Sequence, residues 1–201
     1  MLRRVVDSRY FIWALLALPS LPMVGLLISG NPSPNGKPVA EFLLHPTGEF
    51  SARFLIIAMV MTPMRMLFPA SGFWRWMIQR RRYFGVAAFG YAAFHTFLYV
   101  VDVGSLQTIL GQFFSLGIWT GWLAMVIFVP LALTSTDSAV RALGPRWKTL
   151  QRTVYVAAVA TLLHWIFIHY SAGPALVHFL PLAGLEAYRV WRNSRSGAKA
   201  V

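Results

Sequence analysis

Cysteine is absent from the 201 residues, and acidic side chains are scarce, with 6 Asp and Glu against 18 Lys and Arg. Without cysteine the chain has no disulfide, no thiol nucleophile, no iron–sulfur cluster and no cysteine-based zinc site. Charged residues make up 12% of the chain, about half the share found in soluble domains, and apolar residues make up 57%, above the usual range. This composition predicts an integral membrane protein, with no room for a separate soluble catalytic domain.

Taken alone, the net charge of +12 would suggest a protein that binds nucleic acid. Nucleic-acid binders, however, are rich in charge throughout, with basic residues gathered on one face. Here the apolar excess dominates, so we expect the cations to lie beside a lipid bilayer and we expect no nucleic-acid partner.

Six stretches reach the length of about 20 mainly apolar residues that a membrane-spanning helix needs. We therefore predict an all-α fold: a polytopic bundle of six transmembrane helices that forms a single domain over residues 1–201. Pro19 and Pro22 predict a kink in the first helix, and the turn-rich loop 31–36 that follows it does not resemble a signal-peptide cleavage site. The predicted spans are 10–29, 50–68, 83–103, 116–134, 153–170 and 174–191.

Lys and Arg are divided unequally between the two sides of this predicted bundle. Only Lys37 and Arg53 fall on one side, together with Glu41, Glu49 and Asp102, and the other 16 cations fall on the opposite side. Because cytoplasmic loops carry the excess of Lys and Arg, both termini are predicted to be cytoplasmic. The cytoplasmic set is Arg3, Arg4, Arg9, Arg65, Arg75, Arg80, Arg81, Arg82, Arg141, Arg146, Lys148, Arg152, Arg189, Arg192, Arg195 and Lys199.

Two of the five histidines, His95 and His164, are surrounded by apolar sequence. His95 lies 13 residues after Arg82 and His164 lies 12 after Arg152, so at about 1.5 Å per residue both sit roughly 18–20 Å from the inner face. Two helices that run in the same direction thus present one histidine each at one height. The remaining histidines, His45, His169 and His178, are predicted to be hydrated residues of the outer loop or of outer helix ends.

Axial ligation of a haem explains a pair of level, neutral imidazoles, because the iron takes one nitrogen from each side. Gly85 and Gly90 would allow close approach on the helix of His95. The alternative is two unrelated buried histidines, each bonded to a helix carbonyl or a hydroxyl. Zinc is disfavoured, since no third deep ligand joins them.

The sequence also resembles a known family, the MsrQ (YedZ) haem-binding membrane subunits of bacterial periplasmic methionine sulfoxide reductase systems. That family belongs to the wider ferric-reductase-like transmembrane group. The matching pieces occur in order, with equivalent spacings, between residues 41 and 170. They are His45-Pro46-Thr47-Gly48, Thr62-Pro63, Arg81-Arg82-Tyr83-Phe84-Gly85, His95, Leu131-Ala132-Leu133-Thr134-Ser135-Thr136, Leu143-Gly144, Trp147, Leu150, Val154-Tyr155 and His164.

The resemblance implies a six-helix b-type cytochrome of the bacterial inner membrane, in some members with flavin mononucleotide (FMN) as well. It implies electron transfer from the quinone pool or a cytoplasmic flavin reductase to a soluble, molybdenum-containing periplasmic partner that repairs oxidised methionine. On this pattern His95 and His164 are the expected haem ligands, and His45 matches a family position at the outer face. Where the family commonly has a third histidine this chain has Gln151, which argues against a second haem on the cytoplasmic side.

The basic residues near the inner face admit two interpretations. Arg80, Arg81, Arg82 and Arg152 could hold a flavin phosphate or haem propionates by charge-assisted hydrogen bonds, although a topology signal beside anionic lipid is the stronger explanation for them. Two other functions also remain open from sequence: a quinol-oxidising or metal-reducing cytochrome b with a different acceptor, and a non-redox transporter or assembly protein.

Overall fold

The computed structural model describes residues 6–198, without the side chains of residues 196–198, and within that part of the chain it contains helices and no strands. From Arg9 onward the helices follow one another with short connections. They are α1 (Arg9–Ala17), α2 (Ser20–Ser29), α3 (Val39–Leu67), α4 (Gly72–Gln79), α5 (Arg81–Val103), α6 (Leu106–Gln112), α7 (Leu116–Leu133), α8 (Asp137–Leu143), α9 (Pro145–Arg152), α10 (Val154–His169) and α11 (Ala172–Ala198).

Within the described residues, four helical stretches are long and apolar enough to cross a membrane: α3, α5, α7 and the run Pro145–His169, which joins α9 to α10. The bent pair α1 and α2 makes a fifth if it is counted as one span. The fold is therefore that of a polytopic, all-helical membrane protein. The sixth predicted span falls in α11, which has 27 residues but is not among the helices that are apolar enough.

The predicted kink in the first span is confirmed, because α1 and α2 meet at an angle of 52°. Pro19 precedes Ser20 at the break, where its ring cannot donate a backbone hydrogen bond. The hydroxyl of buried Tyr91, on α5, donates to the carbonyl of Leu16 at 3.1 Å. This bond attaches the end of α1 to the core of the bundle.

The start of α3 differs from the prediction. The helix begins at Val39 rather than near residue 50, so His45 and Pro46 lie within α3, and their assignment to a loop is wrong. Pro46 lacks only its own N–H, and the buried Thr47 hydroxyl donates to the carbonyl of Leu43 at 2.7 Å. Glu41 in the first turn favours a helix start here because it complements the helix dipole.

The core is built from two closely packed helix pairs. α3 packs on α5 and α7 packs on α10, while α11 covers α3. The Ser51 hydroxyl of α3 donates to the Ala88 carbonyl of α5 at 2.9 Å, and the rings of Phe54 and Tyr91 pack edge to face with centroids 5.3 Å apart. Small buried residues such as Ala88 let the paired helices approach closely, as is usual for helices in a membrane.

Several cations lie at the end of the bundle where α5 begins. The Arg80 guanidinium donates to the Asp7 carboxylate at 2.6 Å, and Arg82 donates to Asp137 at 2.6 Å. Arg192 of α11 donates to the carbonyl of Met66 near the end of α3. The two ends of the described chain therefore lie at the same end of the bundle, whereas Arg3, Arg4 and Lys199 lie outside the described residues.

We predict that Tyr91→Phe destabilises the protein by about 1–3 kcal/mol, because the Leu16 carbonyl loses its cross-helix donor in a buried position. Thermal unfolding of the detergent-solubilised protein, followed by circular dichroism, measures the change. Tyr170→Phe is the matched control, since Tyr170 is 96% exposed. Equal melting temperatures for the two variants would contradict the assigned bond.

Candidate paired-histidine site

The structure brings His95 of α5 and His164 of α10 together. Their ring centroids lie 6.0 Å apart and the ring planes cross at 86°. Both side chains are partly buried between the two helix pairs. We call this pair the paired-histidine site.

His95 is held by the neighbouring helix of its own pair. Its Nδ1 lies 2.9 Å from the carbonyl oxygen of Leu44. Because a carbonyl can only accept, Nδ1 carries the proton and Nε2 keeps the free lone pair. Gly48 makes room for the ring, since a Cβ at this position would lie 3.2 Å from Nδ1.

His164 is held in the same way by α7. Its Nδ1 donates to the carbonyl of Gly117 at 2.7 Å. A Cβ at Gly121 would lie 2.7 Å from Nδ1, closer than real Cβ contacts come, so this position requires glycine. Again Nε2 is the nitrogen with a free lone pair.

The two arrangements repeat one another. Each uses a Thr-Gly pair, Thr47-Gly48 in α3 and Thr120-Gly121 in α7, and each uses the carbonyl four residues before the glycine. The Thr120 hydroxyl donates to the carbonyl of Leu116 at 2.7 Å, as the Thr47 hydroxyl does to that of Leu43. We call each unit a carbonyl clamp: one carbonyl oxygen and one glycine that together fix an imidazole ring.

A cavity lies beside the two rings. It encloses about 670 Å³, including its open mouth. Gly48 and Gly121, which lie against the two rings, are part of its lining. The lining residues are Gly48, Ser51, Ala92, His95, Thr96, Tyr99, Ile118, Gly121, Trp122, Ala124, Met125, Phe128, Thr161 and His164.

The ring spacing suits a single metal ion bound from two sides. Two metal–nitrogen bonds of about 2.0–2.1 Å lie in line when two imidazoles bind one ion from opposite sides. When the distance from each nitrogen to the centre of its ring is added, the two ring centroids lie about 6 Å apart. Residues 6–198 contain no group of three or more His, Asp or Glu side chains placed to hold a metal ion. Within these residues His95 and His164 are the two nitrogen ligands that the paired-histidine site offers.

The other histidines lie apart from this pair. His45 is exposed, with its Nε2 3.3 Å from the Glu49 carboxylate, and its ring lies 5.0 Å from that of His169. The Nδ1 of His178 lies 2.8 Å from the Pro174 carbonyl oxygen, and its ring packs on Trp165 at 5.1 Å.

A second, larger cavity opens at the end of the bundle where α5 begins, and it encloses about 2790 Å³ including its open mouth. We call it the polar cavity. Of the predicted cofactor-binding residues, Arg81, Arg82 and Arg152 line it, and Gln151 lines it as well. The remaining one, Arg80, is buried and contacts Asp7, and its guanidinium lies over the Trp76 ring at 4.1 Å from the centroid. The further charged lining residues are Asp137, Lys148, Glu186 and Arg189.

Two of these lining residues have partners within the protein. The Arg82 guanidinium, hydrogen-bonded to Asp137, holds the pKa of that carboxyl below its usual range. The Gln151 amide donates to the Leu131 carbonyl at 3.3 Å and to the Thr134 hydroxyl at 3.2 Å, which completes the end of α7. Gln151 therefore has a structural role at the position where relatives are expected to carry histidine.

Phe128 lines both the polar cavity and the cavity beside the histidines. The two spaces are therefore adjacent at this side chain. Sequence reasoning missed Phe128, Gly121 and Glu186 as residues of the site. The repeated Thr-Gly pair was the available signal for Gly121, but so short a pattern is too common to be noticed.

Gly85 and Gly90 were expected to permit close approach on the helix of His95. A Cβ added at either position would meet nothing within 4 Å. No neighbouring helix of the described residues approaches closely at these glycines, and the approach of a ligand there stays a prediction.

Residues 47–162 match the family of ferric reductase like transmembrane components. Among curated proteins the chain is similar to protein-methionine-sulfoxide reductase heme-binding subunits MsrQ. The protein from Rhizobium meliloti is 37% identical, over 90% of this chain and 84% of that protein. The protein from Ralstonia nicotianae is 33% identical, over 96% of this chain and 90% of that protein.

A third relative, MsrQ of Herminiimonas arsenicoxydans, is 36% identical over 80% of this chain and 72% of its own length. No solved structure matches the chain. The profile match covers more than half of the chain and the relatives align over most of it. The chain therefore belongs to the ferric-reductase-like transmembrane family and, within it, to the MsrQ family.

Proposed function

We propose that this chain is the haem-carrying, electron-transferring membrane subunit of a methionine sulfoxide reductase system. Its MsrQ relatives are named as heme-binding subunits of a protein-methionine-sulfoxide reductase. The observation that carries the proposal is the pair of imidazoles, 6.0 Å apart, each fixed by a carbonyl clamp.

In this proposal His95 and His164 would hold one b-type haem. The residues fit that group: both Nδ1–H groups are engaged with carbonyls, and a hydrogen-bonded Nδ1 is the usual support for a histidine that binds metal through Nε2. When bound, the haem would supply a one-electron ferric/ferrous couple. The clamps hold the two imidazole rings in place for it.

The polar cavity is the proposed entry point for electrons. A quinol or a reduced flavin such as FMN would bind there, with Arg81, Arg82 and Arg152 available to a phosphate by charge-assisted hydrogen bonds. Phe128 lines both cavities, so a ring bound in the polar cavity lies one side chain away from the space beside His95 and His164.

The opposite end of the bundle is the proposed exit. There the chain would deliver electrons to a periplasmic, molybdenum-containing reductase, with exposed His45 at the docking face. This arrangement needs an inner-membrane protein with both termini in the cytoplasm, and α11 would then complete six spans. The concentration of Lys and Arg at one end, under the rule that such residues stay inside, supports this orientation.

The family description favours one second candidate. A ferric reductase like component could pass its electrons to a metal ion instead of a protein partner, from the same helices and ligands. The two functions can be distinguished by mixing the reduced protein with either a candidate sulfoxide reductase or a ferric chelate. Rapid reoxidation of the haem by the sulfoxide reductase, and not by the ferric chelate, supports transfer to a protein partner.

The ligand assignment predicts the effect of histidine replacement. His95→Ala and His164→Ala should each abolish the reduced-minus-oxidised b-type spectrum of the purified protein, because one imidazole remains where two are needed. His178→Ala is the control and should keep the spectrum, since His178 bonds within its own helix. Wild-type protein that stays colourless with ample haem supply would contradict the cytochrome assignment.

The clamps predict a graded effect of adding one methyl group. Gly121→Ala, with a Cβ 2.7 Å from the His164 ring, should lose most of the bound haem, and Gly48→Ala, at 3.2 Å from the His95 ring, should lose less. Overpacking of this kind costs about 1–3 kcal/mol. Gly90→Ala meets nothing within 4 Å and should be neutral or stabilising by about 1 kcal/mol. The haem content per protein, measured for each of the three variants, should therefore be lowest in Gly121→Ala and highest in Gly90→Ala. Equal haem content in the three variants would contradict the clamps.

The flavin assignment predicts a charge effect. Replacing both Arg81 and Arg152 by Ser should weaken FMN binding about tenfold or more, because two charge-assisted contacts to phosphate are removed. Arg53→Ser, outside the polar cavity, should have no effect. Quenching of flavin fluorescence during titration measures the affinity, and unchanged binding in the double variant would rule out a phosphate site at these arginines.

A further inference from the structure

Glu186 of α11 is an unusual group in the wall of the polar cavity. Both of its carboxylate oxygens are shielded from solvent, and within the described part of the chain neither accepts a hydrogen bond. A buried carboxylate whose oxygens accept no hydrogen bond is costly unless nearby charges compensate it.

The charges around Glu186 compensate it only in part. The Arg189 guanidinium lies 2.9 Å from Oε2 as an ion pair, but that guanidinium also donates to the Tyr155 hydroxyl. Arg81 of α5 acts on Glu186 from across the cavity, and the nearby α3 lining residues Thr62 and Met66 carry no charge. The site therefore offers positive charge but leaves the acceptor capacity of both oxygens unused.

We propose that Glu186 is the base that receives the proton when a hydroquinone is oxidised in the polar cavity. The inference rests on the proposed function, which supplies the electron acceptor. A hydroquinone, whether a lipid quinol or a reduced flavin, brings the O–H or N–H donor that the two oxygens lack. Because both oxygens are shielded from solvent, the Glu186 side chain must turn toward the bound ring to accept this proton. Either source has a flat apolar ring that the cavity's aromatic and aliphatic wall accommodates.

The step balances in electrons and protons. For each electron that the ring would give up to the haem, one proton leaves a ring O–H or N–H and bonds to the Glu186 carboxylate. Two such transfers convert the hydroquinone to the quinone and release two electrons and two protons, and the first electron must have passed to the partner reductase before the second leaves the ring. Glu186 must return its first proton to the cytoplasmic side before the second arrives, and Arg189 favours its return to the carboxylate form.

The test is anaerobic, stopped-flow reduction of the haem in the full chain, reconstituted in nanodiscs. Menadiol and reduced FMN are the two donors, and the faster one identifies the source. The wild-type rate should rise with pH, because only the carboxylate form of Glu186 accepts a proton. Glu186→Gln should slow the faster reaction about 100-fold, which is the size usual for loss of a proton-transferring side chain. The rate of this variant should also no longer rise with pH. Glu41→Gln, an exposed carboxylate paired with Lys37, is the matched control.

Two further readouts separate chemistry from folding. Menadione has no donor for Glu186, so its affinity, measured by tryptophan quenching, should differ less than twofold between Glu186→Gln and wild type. The infrared difference spectrum during turnover should show a protonated-carboxyl band that the Gln variant lacks. If the Gln variant binds no haem, Glu186→Asp replaces it, and a slower rate with a displaced pH profile is expected.

Each outcome decides between the claims. A variant with the wild-type rate and pH profile would overturn the role of Glu186 and leave the proposed function standing. Wild-type protein whose haem neither hydroquinone reduces would overturn the proposed entry of electrons, and the role of Glu186 with it.

Discussion

The carbonyl clamp is the interaction on which the rest of this protein depends. One backbone oxygen accepts the Nδ1–H of an imidazole, and a glycine four residues later leaves room for the ring. A helix carbonyl can serve a neighbouring side chain only where two helices come very close, so the clamps require the pairing of α3 with α5 and of α7 with α10. The function proposed for the chain therefore depends on helix packing rather than on a loop.

The distribution of charged residues along the bundle agrees with this arrangement of the helices. Apolar helices hold two neutral rings in the middle of the bundle, while cations and the polar cavity occupy one end. Because Phe128 borders both spaces, the polar and the apolar chemistry are separated yet adjacent.

Part of this could be predicted from sequence. Apolar runs located α5, α7 and α10 to within two residues at each end, and counting residues from Arg82 and Arg152 indicated that His95 and His164 share a depth. The start of α3 was missed because Pro46 and its polar neighbours are typical of a loop, whereas packing on α5 keeps them helical. Gly121 was also missed, since sequence gives position along a helix but not which face meets a neighbour.

Electron paramagnetic resonance of the oxidised wild-type protein tests the central claim, that both imidazoles bind one iron, most directly. Two axial imidazoles produce low-spin ferric haem, and rings that cross at 86° should give the strongly anisotropic signal with a large maximal g value that perpendicular ligand planes produce. A purely high-spin signal, typical of haem with one axial histidine, would contradict the account.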